Sequence, residues 1–119
     1  IFFRFEGMNL SLEEKNAIIC GSTQGIGLAI AEELALLGAN CTLIARNEEA
    51  LQTAVQKLDT QLRQQHNYLV ADFSKPDEVK NVIEKYVEKN TVHILINNIL
   101  PNLVLYKIFL IKDLCLINI

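Results

Sequence analysis

Apolar runs alternate with segments of helical spacing through the middle of the chain. The first run, Asn16–Cys20, lies between Lys15 and Gly21. Continuous apolar runs of this kind are typical of parallel strands buried on both faces. From Gly25 the spacing becomes helical, and Gly38 is a typical residue to end that helix. The apolar positions predicted for the helix are Ile26, Ile30, Leu34 and Leu37.

The same alternation then repeats. Residues 41–45 and 68–71 are predicted strands, and residues 92–96 are a fourth. Ser74 is expected to cap the helix before the last strand, with Pro76 in its first turn, where no backbone donor is lost. The two predicted helices carry the apolar stripes Leu51, Val55, Leu58, Leu62 and Val79, Val82, Ile83, Tyr86, Val87.

Alternating strands and helices predict a Rossmann-like α/β fold, in which helices cover both faces of a parallel sheet. We expect this domain at residues 8–98, incomplete on its C-terminal side, after an upstream extension at residues 1–7. Residues 99–119 form an apolar tail outside this pattern. The tail is an extra strand, an extra helix or a sequence foreign to the domain.

Composition narrows the function classes. The 119 residues suit one domain, half of them are apolar, and the net charge is −3. No run of basic residues indicates a nucleic-acid partner. Charged residues interrupt the tail, so a membrane span is not expected, and the apolar N-terminus is too short for an export signal. Three separated cysteines suggest neither disulfides nor a metal site, which favours the cytoplasm.

The strongest chemical signal is the segment Gly21-Ser22-Thr23-Gln24-Gly25-Ile26-Gly27, between the first strand and the first helix. Glycine lets the backbone come close to a bulky anion, and a helix N-terminus offers unpaired amides and a positive dipole end. The segment therefore predicts a phosphate-binding loop. A glycine-rich turn without a ligand is the alternative.

Three segments together resemble the short-chain dehydrogenase/reductase family. They are this loop, Ala71-Asp72-Phe73-Ser74, and Ile94-Leu95-Ile96-Asn97-Asn98, and they occur in the family's order. Cys20 stands where the family usually has threonine. The resemblance covers residues 8–98 and points to the 3-oxoacyl-[acyl-carrier-protein] reductase branch.

The resemblance implies a role for each matching residue. Residues 21–27 would wrap the pyrophosphate of a dinucleotide, and Asp72 would bind the adenine amino group. Phe73 would add a neighbouring backbone contact, and Asn98 would lie near the ribose. Asp72 and the Asn97-Asn98 pair are also typical turn residues, so a purely structural role remains the alternative.

Arg46 indicates which nicotinamide cofactor the chain prefers. An NAD site has an acid after the second strand to bind the ribose 2′-hydroxyl, whereas this strand ends Ile44-Ala45-Arg46. A charge-assisted bond to a 2′-phosphate is worth about 1.5–3 kcal/mol, so NADP(H) is favoured over NAD. Against this, Gln24 stands where many NADP-using relatives have a second basic residue, and Arg46 is also explained as an exposed arginine that binds nothing.

Catalytic residues are not found. The resemblance implies a serine and a Tyr-x-x-x-Lys pair beyond Asn98, and the sequence contains no such pair. Tyr106-Lys107 has the wrong spacing, and the isolated His66 and His93 are expected to be structural. Ile99 and Leu100 replace the small Ala-Gly of the family motif.

The sequence therefore predicts an NADP-dependent oxidoreductase of carbonyl or alcohol substrates, present as a truncated or frame-disrupted chain that is inactive alone. A nucleotide-binding module without catalysis is the second hypothesis. A methyltransferase is a third, which Arg46 disfavours. Unless the tail pairs with the strand at residues 92–96, the exposed sheet edge predicts self-association or aggregation.

Overall fold

The computed structural model describes residues 10–97 and 115–118, in which strands and helices alternate. In chain order they are β1 Asn16–Cys20, α1 Gly25–Leu36, β2 Asn40–Ala45, α2 Glu48–Gln56, β3 Asn67–Val70, α3 Pro76–Lys89, β4 Ile94–Asn97 and β5 Cys115–Asn118.

The strands form one parallel sheet in the order β3-β2-β1-β4-β5. The chain builds the sheet in one direction from β1 to β3, then crosses back to place β4 on the other side of β1. In open α/β sheets ligands bind beyond the carboxyl ends of the strands at such a reversal. The sheet confirms the predicted α/β fold and places the glycine-rich loop at the reversal.

Alternating side chains divide the core into two layers. Ile19 and Leu43 pack in a cluster with residues of α1 and α2, on what we call the α1–α2 face. Ile18 and Ile44 point the other way and pack in a cluster with residues of α3, on the α3 face. Helices therefore cover both faces, as the sequence predicted.

The predicted apolar stripe of α1 is correct for Ile30 and Leu34, which pack against the core, and wrong for Ile26. The residues that α1 buries are Gly27, Ala31 and Ala35, whereas Ile26 is 60% exposed. Small side chains let the helix axis lie close to the sheet, and the larger Ile30 and Leu34 pack at the sides of the contact. Size rather than hydrophobicity decides which residues of α1 face the sheet.

Helix α2 is shorter than its predicted stripe. It ends at Gln56, so Leu58 is buried just beyond the helix and Leu62 is 47% exposed in the following turn. Strand β4 begins at Ile94 rather than at Val92, which is nevertheless buried. Tertiary packing thus moves element ends that the apolar pattern alone does not define.

The start of α3 corrects one prediction and confirms another. Pro76 lies in the first turn as predicted, but Ser74 does not cap the helix. Lys75 occupies the N-cap position and makes no side-chain capping bond. The Ser74 side chain instead donates to the Asp72 carboxylate, because the chain turns sharply between β3 and α3.

Both histidines have the structural role expected of them. His93 Nδ1 accepts the backbone N–H of Asn16 at 3.0 Å, at the start of β1. His66 Nδ1 accepts the N–H of Cys41 at 3.1 Å, and its Nε2 lies 2.7 Å from the Asp59 carbonyl oxygen. Both rings therefore bind the N-terminal ends of strands, which lie at the end of the sheet opposite the glycine-rich loop.

Part of the apolar tail forms a strand. Cys115–Asn118 pairs with β4 in parallel, which is one of the alternatives that the sequence left open. The edge of β4 is therefore covered, and β5 is the last strand of the described sheet on that side. Self-association stays a prediction and now concerns the edge of β5. The extension at residues 1–7 and the rest of the tail lie outside the described residues.

Two negative findings apply to residues 10–97 and 115–118. No helix in these ranges has the length and apolar character that a membrane crossing requires. No group of three or more His, Cys, Asp or Glu side chains there is arranged to hold a metal ion.

Candidate functional site

The glycine-rich loop leaves the end of β1 through two left-handed residues. Gly21 and Gly25 have φ values of 69° and 64°, which residues with a Cβ rarely adopt. The Gly21 N–H donates to the Ile44 carbonyl at 2.9 Å, so the start of the loop is tied to β2. A Cβ built on Gly25 meets no atom within 4 Å. The start of the loop is thus fixed to the sheet, while the space next to Gly25 is open and lets an anion come close to the backbone.

Ser22 stabilises the loop from inside. Its side chain is fully buried, and its hydroxyl donates to the Ile19 carbonyl at 3.0 Å. Only the backbone of Ser22 is therefore suited to a ligand contact. Gln24 and Ile26, in contrast, are exposed at the rim of the loop.

The N-terminus of α1 lacks the usual features that satisfy a helix start. Gln24 is the N-cap residue in an extended conformation, and its side chain makes no capping hydrogen bond. The first turn contains no acidic residue. The first amides of α1 and the positive end of its dipole are therefore directed to the open space beyond the loop.

Asp72 begins the turn between β3 and α3, and its carboxylate is partly engaged. Its Oδ1 accepts the Ser74 N–H at 2.9 Å and the Ser74 hydroxyl at 2.7 Å. The hydrogen bonds from the Ser74 hydroxyl and the Ser74 N–H lower the pKa of Asp72 below its usual value. Desolvation opposes them, and the positive charges of Arg46 and Lys75 contribute smaller lowering effects. Asp72 is therefore ionised at neutral pH and is a strong acceptor.

The second oxygen of Asp72 remains available. Asp72 Oδ2 makes no hydrogen bond with any residue in the described part of the chain. Oδ1 of Asp72 therefore has the structural role of a turn residue, while Oδ2 is available to a hydrogen-bond donor of a ligand.

Arg46 lies beside Asp72 at the same edge of the sheet. The two turns are adjacent because the Ala71 N–H donates to the Ala45 carbonyl at 2.9 Å, just beyond the β2–β3 pairing. Arg46 is exposed and forms no ion pair with any residue of 10–97 or 115–118. The guanidinium is therefore available to an anion from solution.

Three further residues were predicted at or beside the site: Phe73, Asn97 and Asn98. The Phe73 side chain packs against the core cluster of the α3 face, so only its backbone is suited to a ligand contact. Asn97 ends β4 with a buried side chain. Asn98 lies outside the described residues.

No catalytic group emerges from the described residues. Tyr68 donates to Glu48 at 3.1 Å, and the Tyr86 hydroxyl lies 3.0 Å from Thr42 Oγ1, so both tyrosines have structural partners. Burial raises the pKa of Cys20 and of Cys41 to about 12, which keeps these thiols protonated and unreactive at neutral pH.

Sequence reasoning missed the role of Asn47 and misassigned that of Ser74. Asn47, directly after Arg46, caps α2 by accepting the Ala50 N–H at 3.1 Å. Ser74 and Asp72 form a side-chain-stabilised turn rather than a helix cap. The signals were present as Asn at an N-cap position and as the spacing Asp-x-Ser.

Comparison with known proteins identifies one family. The sequence model of the short chain dehydrogenase family matches residues 15–99. The chain is 41% identical over 83 residues to the human "Inactive hydroxysteroid dehydrogenase-like protein 1", covering 70% of this chain and 25% of that protein. It is 38% identical over 88 residues to the Chlamydia trachomatis 3-oxoacyl-[acyl-carrier-protein] reductase FabG, covering 73% of this chain and 36% of that protein.

A solved structure extends the likeness to the fold. The L-sorbose reductase of Gluconobacter frateurii, complexed with NADPH and L-sorbose, superposes with a TM-score of 0.68 at 34% identity. The superposition covers 77% of this chain and 35% of the reductase. The chain thus spans between a quarter and just over a third of these proteins.

Proposed function

The chain belongs to the short-chain dehydrogenase family, and on that premise we propose that it binds a nicotinamide dinucleotide through the adenosine and pyrophosphate portion, with NADP(H) preferred over NAD(H). The observation that carries this proposal is the start of α1. A loop with left-handed glycines leads there into a helix whose first turn has neither a capping side chain nor an acid. A pyrophosphate supplies the negative charge that this helix start lacks.

The proposed contacts follow the edge of the sheet. Residues 21–27 wrap the pyrophosphate, with Gly21, Thr23, Gln24, Gly25, Ile26 and Gly27 close to it and Ser22 contributing its backbone. Asp72 accepts the adenine amino group through Oδ2, the oxygen that Ser74 leaves open. Phe73 adds a backbone contact, and Asn98 binds near the ribose.

The preference for NADP(H) rests on Arg46. Its guanidinium is exposed at the end of β2, beside the proposed adenine site at Asp72. A hydrogen bond to the 2′-phosphate is worth about 1.5–3 kcal/mol, which corresponds to about a ten- to hundredfold preference. The NADPH in the L-sorbose reductase complex supports the same choice.

For the whole protein we propose hydride transfer between a carbonyl and an alcohol, with a small-molecule substrate as in 3-oxoacyl reductases. The nicotinamide would supply or accept the hydride. We place this protein in the cytoplasm, which agrees with three free cysteines. The chain's own residues bind and orient the adenosine end.

The 119-residue chain is proposed to bind without turnover. Its sequence contains no Tyr-x-x-x-Lys pair to donate the proton, and such a donor contributes about a hundred- to ten-thousandfold in rate. We expect no NADPH oxidation at 340 nm with a β-ketoacyl thioester or simple ketones. Substrate-dependent turnover that persists through further purification would show that the catalytic residues are elsewhere.

A nucleotide-binding module without catalysis is the second candidate. It is favoured by the 41% identity to a human protein whose name describes it as inactive. Both candidates require cofactor binding, so calorimetric titration with NADPH and NADH is the first experiment. Saturable binding, tighter for NADPH, is expected. Absence of binding for both cofactors would contradict either candidate.

A further inference from the structure

Two acidic residues follow Arg46 closely along the chain. Glu48 and Glu49 form the first turn of α2, two and three residues after Arg46. A carboxylate that turned toward a bound 2′-phosphate would repel it and oppose Arg46. Selection of NADP(H) therefore depends on where these carboxylates are held.

Tyr68 on β3 holds one of them. Its hydroxyl donates to Glu48 Oε1 at 3.1 Å and accepts from Gln52 Nε2 at 3.1 Å. Gln52 Nε2 can only donate a hydrogen bond, so the Tyr68 oxygen accepts from it. The hydroxyl proton of Tyr68 is then directed at the Glu48 carboxylate. The Tyr68 ring is half-buried against the core of the α1–α2 face, which fixes the position of its hydroxyl.

The Glu48 carboxylate and the Arg46 guanidinium interact with different parts of the sheet: Glu48 with Tyr68 and Arg46 with Asp72. Tyr68 is paired in register with Leu43, and both side chains pack on the α1–α2 face. The Arg46 charge is instead felt by Asp72, in the turn that leads into α3. Glu48 is thus tied to a side chain of one face, while Arg46 acts on the turn that holds the proposed adenine site.

We propose that Tyr68, assisted by Gln52, is a positioning residue for cofactor selection that keeps the Glu48 carboxylate from opposing the 2′-phosphate bound by Arg46. This inference rests on the proposed function. It predicts that loss of one hydroxyl on an edge strand lowers affinity only for ligands with a 2′-phosphate.

The test uses calorimetry on the 119-residue chain with adenosine 2′,5′-bisphosphate and adenosine 5′-monophosphate. Tyr68→Phe should weaken the bisphosphate by about two- to fivefold and leave the monophosphate unchanged, because a released carboxylate would repel the 2′-phosphate through water that weakens and screens the repulsion. Glu48→Gln in the Tyr68→Phe background should restore bisphosphate affinity. Glu48→Gln alone should change neither affinity.

Tyr86→Phe is the matched control, because it also removes one tyrosine hydroxyl, which contacts Thr42 instead of an acid. It should affect neither ligand. Equal weakening of both ligands by Tyr68→Phe would assign Tyr68 a purely structural role and overturn the inference. So would unchanged bisphosphate affinity, or failure of the double variant to recover. If the parent chain binds neither ligand, the proposed function itself is wrong, and that result is visible before any substitution is made.

Discussion

The first turns of α1 and α2 begin at the same edge of the sheet and are stabilised in opposite ways. Helix α2 satisfies its own start: Asn47 accepts the Ala50 N–H, and Glu48 and Glu49 complement the dipole. Helix α1 has Gln24 as N-cap, no capping bond and no acid in its first turn. A helix start that its own sequence leaves unsatisfied is suited to an external anion, whereas one satisfied by acids repels it.

The difference extends to the residues around each helix start. Left-handed Gly25 is the first residue of α1, and a Cβ at this position would meet no atom within 4 Å. The turn before α2 contains Arg46, whose long side chain reaches a ligand without close backbone approach. We therefore expect the α1 start to supply general affinity for dinucleotides and the α2 start to supply selectivity between them.

Gly25→Val should cause the largest loss of cofactor affinity, because it changes the start of α1. The branched side chain occupies the space proposed for the pyrophosphate and requires a φ near 64°, which β-branched residues avoid. We expect affinity for both NADPH and NADH to fall by about a hundredfold or more. Calorimetry measures this loss, and Ala29→Val, on the exposed side of α1, is the control for a valine added to the helix. Equal affinity in the variant and the parent would remove the loop from the site.

Arg46→Ala should separate selectivity from affinity. Loss of the guanidinium should weaken NADPH by about ten- to hundredfold and leave NADH nearly unchanged. Competition between the two cofactors measures the ratio directly. A parallel loss for both cofactors would mean that Arg46 supports the fold or a phosphate that the cofactors share.

Gln24→Asp would make the start of α1 resemble that of α2. A carboxylate at the N-cap accepts a helix amide, so the free energy of unfolding should rise by about 0.5–1 kcal/mol. The same charge should repel the pyrophosphate and weaken both cofactors by about tenfold. Urea unfolding and calorimetry on one preparation test both effects. Tighter cofactor binding would contradict the role assigned to the uncapped helix start.

Asn47→Ala is the reciprocal change and should have the smallest effect on the site. Removal of the cap of α2 should lower the free energy of unfolding by about 1 kcal/mol. Cofactor affinity should change less than twofold, because no pyrophosphate contact is proposed at this helix. Denaturant unfolding and NADPH titration measure the two quantities. A large loss of affinity without a loss of stability would place Asn47 in the binding site.

The sequence predicted the elements well where local chemistry decides them. Asn16–Cys20 has the predicted bounds, because an apolar run between a lysine and a glycine defines its own ends. The sequence also located the glycine-rich loop and Arg46, since each directly follows a strand.

Packing decided what the apolar pattern left open. Alanines rather than Ile26 face the sheet on α1, because the close contact between helix and sheet selects for small size. Likewise, Ser74 binds Asp72 instead of capping α3, because the turn after β3 brings the two side chains together.

The amino-acid sequence by itself therefore determined the order of strands and helices and the glycine-rich loop between β1 and α1. Only the tertiary structure decided the strand order β3-β2-β1-β4-β5, which of Asp72's oxygens remains open and where Glu48 is held. The physical reason is range. Helix spacing, glycine conformations and caps act over a few residues. The electrostatic effect of Arg46 on Asp72 and the hydrogen bond from Tyr68 to Glu48 instead join segments that are neighbours only after the sheet has formed.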